Sequence, residues 1–198
     1  MQNLCHWIFD LDGTLTVVQH DFDAIRRELG VPEGTLILEY IAQCPADRAR
    51  ALERQLHEIE HDLAKQSLAA EGAVELVEML LEADADLGIL TRNTRQNAMT
   101  SLTSIGLGHC FAPENIVGRD ESPPKPAPDG IHFLLERWQA PRERSAMVGD
   151  FRFDLEAGRA AEVLTVHVSH PEAEQWPEIT DHRFDSLTAL AHVLRDGL

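Results

Sequence analysis

The chain has 198 residues, of which 43% are hydrophobic and 26% are charged, so we expect a packed core rather than a disordered chain. A formal net charge of −17 and a pI of about 4.8 argue against nucleic acid and anionic membrane surfaces as partners. The three cysteines are widely spaced, and we find neither a signal peptide nor an apolar segment long enough to span a bilayer. These features predict a cytoplasmic protein with reduced thiols.

The first predicted strand, His6–Phe9, is followed by an interval that contains only helical patterns. Glycine and proline residues separate these patterns, which cover Asp21–Leu29, Gly34–Ala42 and Ala46–Leu68. The interval therefore predicts a small all-helical lobe inserted directly after the first strand.

The third helical pattern contains the letters HEIEH, which match the H-E-x-x-H zinc motif at His57 and His61. An apolar stripe runs along the opposite side of this helix, through Leu52, Leu56, Ile59 and Leu63. We interpret the histidine side as a solvated face, with Glu53, Glu58, Glu60 and Asp62. Because no third ligand is evident, a zinc peptidase is a disfavoured alternative.

After residue 70 the patterns alternate between strand and helix. The predicted strands are Leu87–Leu90, Ile116–Val117, Ala146–Val148 and Leu164–Val168. The predicted helices are Ala73–Ala83, Thr94–Ile105, Asp129–Trp138, Asp154–Ala161 and, after a loop, Ser186–Arg195. This order predicts an α/β fold with a Rossmann-like, doubly wound parallel sheet, whose ligand site lies at the carboxyl ends of the strands.

The first strand ends in DLDGTL, which places two carboxylates close together. Asp10 ends the strand and Asp12 follows two residues later, while Gly13 allows a sharp turn and Thr14 can steady the loop. Two carboxylates this close repel each other unless a cation lies between them. Hard oxygen ligands of this kind suit Mg²⁺.

Polar groups suited to a phosphate follow the next two predicted strands. In LTRN, the side chains of Thr91 and Asn93 and the start of the next helix could hold a phosphate oxygen. Lys125, one of two lysines in the chain, lies between Pro124 and Pro126, which stiffen its loop. Its ammonium group could neutralise a phosphoryl oxygen.

The stretch GDFRFD follows the predicted strand Ala146–Val148. Gly149 precedes Asp150, and Asp154 lies four residues further on, so both carboxylates could face one point at the start of a helix. An acid favoured by the helix dipole is the alternative explanation for Asp154.

Together, DLDGTL, LTRN, Lys125 in KPAPDG and GDFRFD resemble the four motifs of the haloacid dehalogenase-like hydrolase superfamily. The helical interval lies where members similar to phosphoglycolate phosphatases carry a helical cap. The resemblance, which covers about Cys5 to Val168, implies a core formed by residues 1–15 and 71–198 and a cap formed by residues 16–70.

This resemblance implies a Mg²⁺-dependent phosphatase that hydrolyses a small phosphorylated metabolite through an aspartyl-phosphate. Asp10 would be the nucleophile and Asp12 the general acid and base. The implied metal site is the Asp10 carboxylate, the Asp12 main-chain carbonyl and Asp150. The implied phosphate-binding residues are Thr91, Arg92, Asn93 and Lys125, and Gly13, Thr14, Gly149 and Asp154 would support the site. We expect a monomer or a weak dimer.

Several alternatives share this resemblance. Asp12 favours phosphate transfer over dehalogenation, and Lys65, the only lysine of the implied cap, lies too near the end of its helix to favour a phosphonatase. A sugar-phosphate mutase shares all four motifs. A non-catalytic binding protein on this fold is disfavoured, because binding alone does not require Asp10, Asp12, Lys125 and Asp150 together.

The sequence departs from the family after Asp150, where most members carry serine or threonine and this chain has Phe151 and Arg152. Arg152 is as consistent with a surface position as with the site. The cap edge facing the site is expected to include His20 and the Gly34–Thr35 and Gln43–Cys44 turns. These positions would choose the substrate.

Overall fold

A computed structural model describes residues 1, 3–17 and 22–195 of the chain. Its six strands form one sheet in the order β3-β2-β1-β4-β5-β6, with every neighbouring pair parallel. The strands are β1 (His6–Phe9), β2 (Asp86–Leu90), β3 (Ile116–Val117), β4 (Ser145–Gly149), β5 (Leu164–Val168) and β6 (His182–Phe184). The predicted strands are all present, and the predicted Rossmann-like class is confirmed.

Helices follow most of the strands and cover both faces of the sheet. They are α4 (Ala73–Glu82), α5 (Arg95–Ser104), α6 (Asp129–Trp138), α7 (Arg152–Ala160) and α8 (Leu187–Arg195). The start of α7 lies two residues before the predicted start at Asp154. The cause is local, because the Asp154 carboxylate accepts a hydrogen bond of 3.0 Å from the Phe151 backbone N–H and so belongs to the first turn.

The alternation of side chains along β1 divides the core in two. Trp7 and Phe9 point to one face, where they pack in a cluster with α4, α5 and α8. Ile8 points to the other face and packs in a cluster with α6 and α7. Since both faces are buried, the strands read as continuous apolar runs, as parallel sheets require.

Among the described residues between β1 and α4, three helices are present, namely α1 (Phe22–Leu29), α2 (Ile37–Ala42) and α3 (Ala46–Lys65). Their apolar faces meet in a cluster separate from those of the sheet, formed by Ile25, Leu29, Val31, Ile41, Leu52 and Leu56. The predicted second helix began at Gly34, but Gly34 has φ of +71°, which a right-handed helix does not contain. The predicted residues His20 and Asp21 lie outside the described residues.

The chain enters and leaves this helical insertion at one point. The Val17 N–H donates to the Leu68 carbonyl at 2.9 Å, and the Ala70 N–H donates to the Leu15 carbonyl at 2.9 Å. These paired segments start just beyond β1, so the insertion stands over the carboxyl edge of the sheet. Among the described helices, none is both long enough and apolar enough to cross a membrane.

Candidate active site

The motif residues gather because β2, β1 and β4 are neighbours in the sheet. Thr91 follows β2, Asp10 follows β1 and Asp150 follows β4, so the carboxyl ends of three adjacent strands deliver these side chains to one edge. The loop after β3 adds Lys125, which lies 115 residues after Asp10 in the sequence.

Lys125 lies at the centre of this arrangement. Its side chain is 3% exposed, and its Nζ lies 2.5 Å from Asp10 Oδ1 and 2.6 Å from Asp154 Oδ1. Burial alone would lower the pKa of Lys125, but the two carboxylates outweigh burial and hold that pKa above its usual value. The ammonium therefore remains charged and joins the first and fourth motifs.

Asp150 completes a cluster of three carboxylates. Asp10, Asp150 and Asp154 each offer an oxygen, and these oxygens lie within 4.8 Å of one another. Burial, followed by repulsion from Asp10 and Asp154, raises the pKa of Asp150 to about 8. Burial also raises the pKa of Asp154 to about 6, against the opposing effect of Lys125. One ammonium does not neutralise three carboxylates, so the cluster has the charge and the hard oxygen donors that suit a divalent cation such as Mg²⁺.

Two glycines allow the loops to approach this cluster. Gly13 has φ of +101°, and a Cβ at this position would lie 2.5 Å from Asp150 Oδ2. A Cβ on Gly149 would collide with the Asp154 side chain. Next to Gly13, the Thr14 hydroxyl donates to Asp150 Oδ1 at 3.2 Å. The first and fourth motifs are thus held together by direct contact.

The loop after β2 is fixed by its own side chains. The Thr91 hydroxyl accepts a hydrogen bond of 3.0 Å from the Asn93 N–H, and Asn93 Oδ1 accepts from the Thr94 N–H at 2.8 Å and from Asn97 Nδ2 at 3.0 Å. Thr94 is the N-cap of α5, since its hydroxyl accepts from the Asn97 N–H at 3.2 Å. Thr91 and Asn93 are both buried beside the carboxylate cluster.

A pocket of about 460 Å³ lies between the motif loops and the helical insertion. We call its motif side the floor, which consists of Asp10, Asp12, Thr91, Asn93, Lys125, Asp150 and Asp154. We call its insertion side the roof, which consists of Ile25, Arg26, Leu36, Ile37, Leu38, Leu56 and Glu60. Arg92, Phe151 and Phe153 line the wall between them. The floor is polar and charged, whereas the roof is mostly apolar.

The sequence profile of the family described as "Haloacid dehalogenase-like hydrolase" matches residues 17–168. The chain belongs to this family. The matched range contains Thr91, Lys125 and Asp150 and begins after Asp10 and Asp12, whose position beside them is seen in the structure.

Named relatives of this hydrolase include two phosphate-releasing enzymes. Pyrophosphatase PpaX of Listeria monocytogenes serotype 4b is 35% identical over 182 residues, which cover 82% of each chain. Phosphoglycolate phosphatase of Pseudomonas syringae pv. syringae is 29% identical over 201 residues, which cover 86% of this chain and 73% of the relative. A solved structure of a hydrolase from Pseudomonas syringae superposes with a TM-score of 0.80 at 23% identity and covers 98% of each chain, so it shows the same fold.

Two arginines near the fourth motif have different surroundings in this hydrolase. Arg92 reaches across the pocket, where it pairs with Glu39 of α2 at 2.6 Å, donates to the Lys125 carbonyl at 3.0 Å and lies over the Phe153 ring. Arg152 is exposed and pairs with Glu156 at 2.7 Å, one turn along α7. Arg152 is therefore a surface residue, and Phe151 is the residue that lines the pocket.

The HEIEH stretch belongs to α3 of the insertion, and part of it faces α5 rather than solvent. Glu60 is 11% exposed in its side chain, pairs with Arg119 at 2.8 Å and belongs to the roof, so its predicted solvated position is wrong. His61 Nδ1 lies 3.2 Å from Asn97 Oδ1, while His57 is exposed. Within the described part of the chain, the aspartate cluster is the one group suited to a metal, so HEIEH lacks a third ligand.

His167 is a further residue near the site that sequence reasoning did not assign. It is fully buried in β5, and its Nε2 lies 3.1 Å from the Asp150 carbonyl, where it can hold the backbone of the fourth motif. Burial lowers the pKa of His167 and so favours its neutral form. The available signal was a histidine inside a strand whose other residues, apart from Thr165, are apolar.

Proposed function

We propose that this hydrolase is a Mg²⁺-dependent phosphatase that acts on a small phosphorylated metabolite through an aspartyl-phosphate on Asp10. The observation that carries the proposal is the buried contact of the Lys125 ammonium with Asp10, beside two further carboxylates and under a pocket of about 460 Å³. The names of the two relatives, a pyrophosphatase and a phosphoglycolate phosphatase, support transfer of a phosphoryl group.

The first half of the proposed reaction forms the covalent intermediate. A carboxylate oxygen of Asp10 attacks phosphorus, and the bond from phosphorus to the leaving oxygen breaks. Asp12, which lines the same pocket, donates a proton to that oxygen. Thr91, Asn93, Lys125 and, from the wall, Arg92 bind and orient the phosphoryl oxygens.

The second half of the reaction releases phosphate. Asp12, now a carboxylate, takes a proton from water, whose oxygen attacks the phosphorus of the intermediate. The bond between phosphorus and the Asp10 oxygen breaks, which regenerates the Asp10 carboxylate and frees inorganic phosphate.

Asp10 and Asp150 would hold Mg²⁺ together with the main-chain carbonyl of Asp12, and Asp154 would support them. The fit rests on the excess negative charge and the oxygen donors of the cluster. Bound Mg²⁺ would offset the negative charge of the phosphoryl oxygens. Thr14, Gly13 and Gly149 would keep Asp150 and Asp154 in place through the contacts described above.

We further propose that residues 16–70 act as a cap on a core formed by residues 1–15 and 71–198. The separate apolar cluster of α1–α3 and the paired segments at Val17 and Leu68 support a unit that can move as a body. Closure of such a unit would exclude water from the floor.

The test is release of phosphate from p-nitrophenyl phosphate, with Mg²⁺ or with EDTA, by the wild type, Asp10→Asn and His57→Ala. We expect turnover that requires Mg²⁺, disappears in Asp10→Asn and persists in His57→Ala, since His57 is exposed and lies outside this pocket. Absence of turnover in a folded wild-type protein would contradict the proposal. Turnover only with a bisphosphate activator, with little free phosphate, would indicate a mutase instead.

A further inference from the structure

The lining of the pocket indicates what kind of leaving group the substrate carries. We propose that the substrate is a phosphate monoester with an apolar leaving group and no second anionic group. This inference rests on the proposed phosphatase function, and it concerns the roof and the wall rather than the floor.

The roof and wall offer an apolar surface to the leaving group. Five roof residues are aliphatic, namely Ile25, Leu36, Ile37, Leu38 and Leu56, and the wall adds Phe151 and Phe153. Two of these side chains are exposed despite their size, Leu36 at 45% and Phe151 at 48%. An apolar group in the pocket would cover them and remove this area from water.

An aromatic cluster fixes the position of the wall. The ring centroids of Phe151 and Phe153 lie 5.1 Å apart in an edge-to-face arrangement, and Phe151 makes a similar contact with Trp176 at 5.5 Å. In this chain the fourth motif therefore presents a ring to the pocket.

The cations that line the pocket are already paired. Lys125 contacts Asp10 and Asp154, and Arg92 contacts Glu39. Arg26, on the roof, pairs with Asp23 at 2.8 Å. Lys125 and Arg92 are assigned to the transferred phosphoryl group. A second phosphate or carboxylate would therefore have to compete with Asp23 for Arg26, the remaining described cation of the lining.

The overall charge of the lining also argues against a second anionic group on the substrate. The described lining residues comprise five carboxylates and three cations, namely Asp10, Asp12, Glu60, Asp150 and Asp154 against Arg26, Arg92 and Lys125. One divalent cation would bring the formal net charge of these eight side chains close to zero. The lining would then suit a single phosphoryl group rather than two anionic groups. A second anionic group near the roof would meet Glu60 and would be repelled.

A series of n-alkyl phosphates tests the apolar contact. Ethyl, butyl and hexyl phosphate have leaving alcohols of similar acidity, so differences in kcat/KM report binding of the chain. We expect kcat/KM to rise by roughly two- to fourfold per methylene that reaches the roof or the wall. Phosphoglycolate and pyrophosphate should both be poorer substrates than hexyl phosphate.

The outcomes separate this inference from the proposed function. A flat chain-length series, with phosphoglycolate or pyrophosphate as the best substrate, would overturn the substrate class and leave the phosphatase intact. Absence of phosphate release from every compound would instead overturn the phosphatase function on which the inference rests.

Matched variants connect the series to particular side chains. Leu36→Ser should flatten the chain-length series, whereas Leu81→Ser, at a leucine of similar exposure (41%) on α4 and outside the pocket, should leave its slope unchanged. Equal slopes in Leu36→Ser and the wild type would exclude the roof as the contact surface.

A second variant tests the charge argument. Glu39→Gln removes the partner of Arg92 and should raise kcat/KM for phosphoglycolate relative to ethyl phosphate, on the order of fivefold. An unchanged ratio would show that the pairing of Arg92 does not select against a second anion.

Discussion

The floor and the roof of the pocket are built in opposite ways. The floor carries charged and polar side chains at the ends of strands that lie in a continuous sheet, and Asp10, Lys125 and Asp154 are each less than a tenth exposed. The roof is mostly aliphatic and stands on a small cluster of its own. Two ion pairs, Arg92–Glu39 and Arg119–Glu60, join the insertion to the core. Under the proposed function, this difference would assign the chemistry to the floor and substrate choice to the roof.

The largest effect should come from the centre of the floor. Lys125→Ala removes the cation between Asp10 and Asp154, so a phosphoryl group would meet uncompensated carboxylates. We expect kcat to fall on the order of 10³-fold. Steady-state phosphate release measures this, with circular dichroism to verify folding.

Lys65→Ala is the control, because Lys65 is the other lysine of the chain and its side chain is 55% exposed. It should have nearly wild-type activity. Activity of Lys125→Ala within tenfold of the wild type would show that the floor does not depend on this ammonium.

The separation of the two units predicts different responses to matched core truncations. Leu76→Ala, in the sheet cluster, and Leu52→Ala, in the insertion cluster, should each cost about 2–5 kcal/mol of unfolding free energy. Hydrogen exchange should show loss of protection across the sheet for Leu76→Ala, but only in α1–α3 for Leu52→Ala. Equal loss of sheet protection in both variants would contradict an independent cap.

The floor could be predicted from the sequence because its signals are local. Each motif lies within a few residues of the end of an apolar run, and the parallel order of the strands places those ends together. The ion pair between Lys125 and Asp154 was not predicted. It depends on how a loop after β3 folds back, and no spacing in the sequence reports that distance.

The roof and the sheet edge were less predictable because their contacts are non-local. Helical periodicity predicts a solvated position for Glu60, but its partner Arg119 lies 59 residues away in the sequence. β6 was missed because His182–Phe184 is only partly buried at the edge of the sheet and has no apolar run. Arg152 was ambiguous until its pairing with Glu156 placed it on the surface.

The smallest of these effects tests how tightly the loops of the floor must fit. Gly13→Ala adds a Cβ 2.5 Å from Asp150 Oδ2 and strains a residue with φ of +101°. A displacement of Asp150 by a fraction of its side-chain length should lower kcat/KM on the order of 10²-fold.

Gly106→Ala is the matched control, since Gly106 has φ of +82° with no atom within 4 Å of the added Cβ. It carries the same kind of backbone strain, about 1–2 kcal/mol, without reaching the site. If both variants lose stability but only Gly13→Ala loses activity, contact with Asp150 and not strain limits this position. Equal loss of activity in both variants would assign the loss to backbone strain and would contradict the role of this contact.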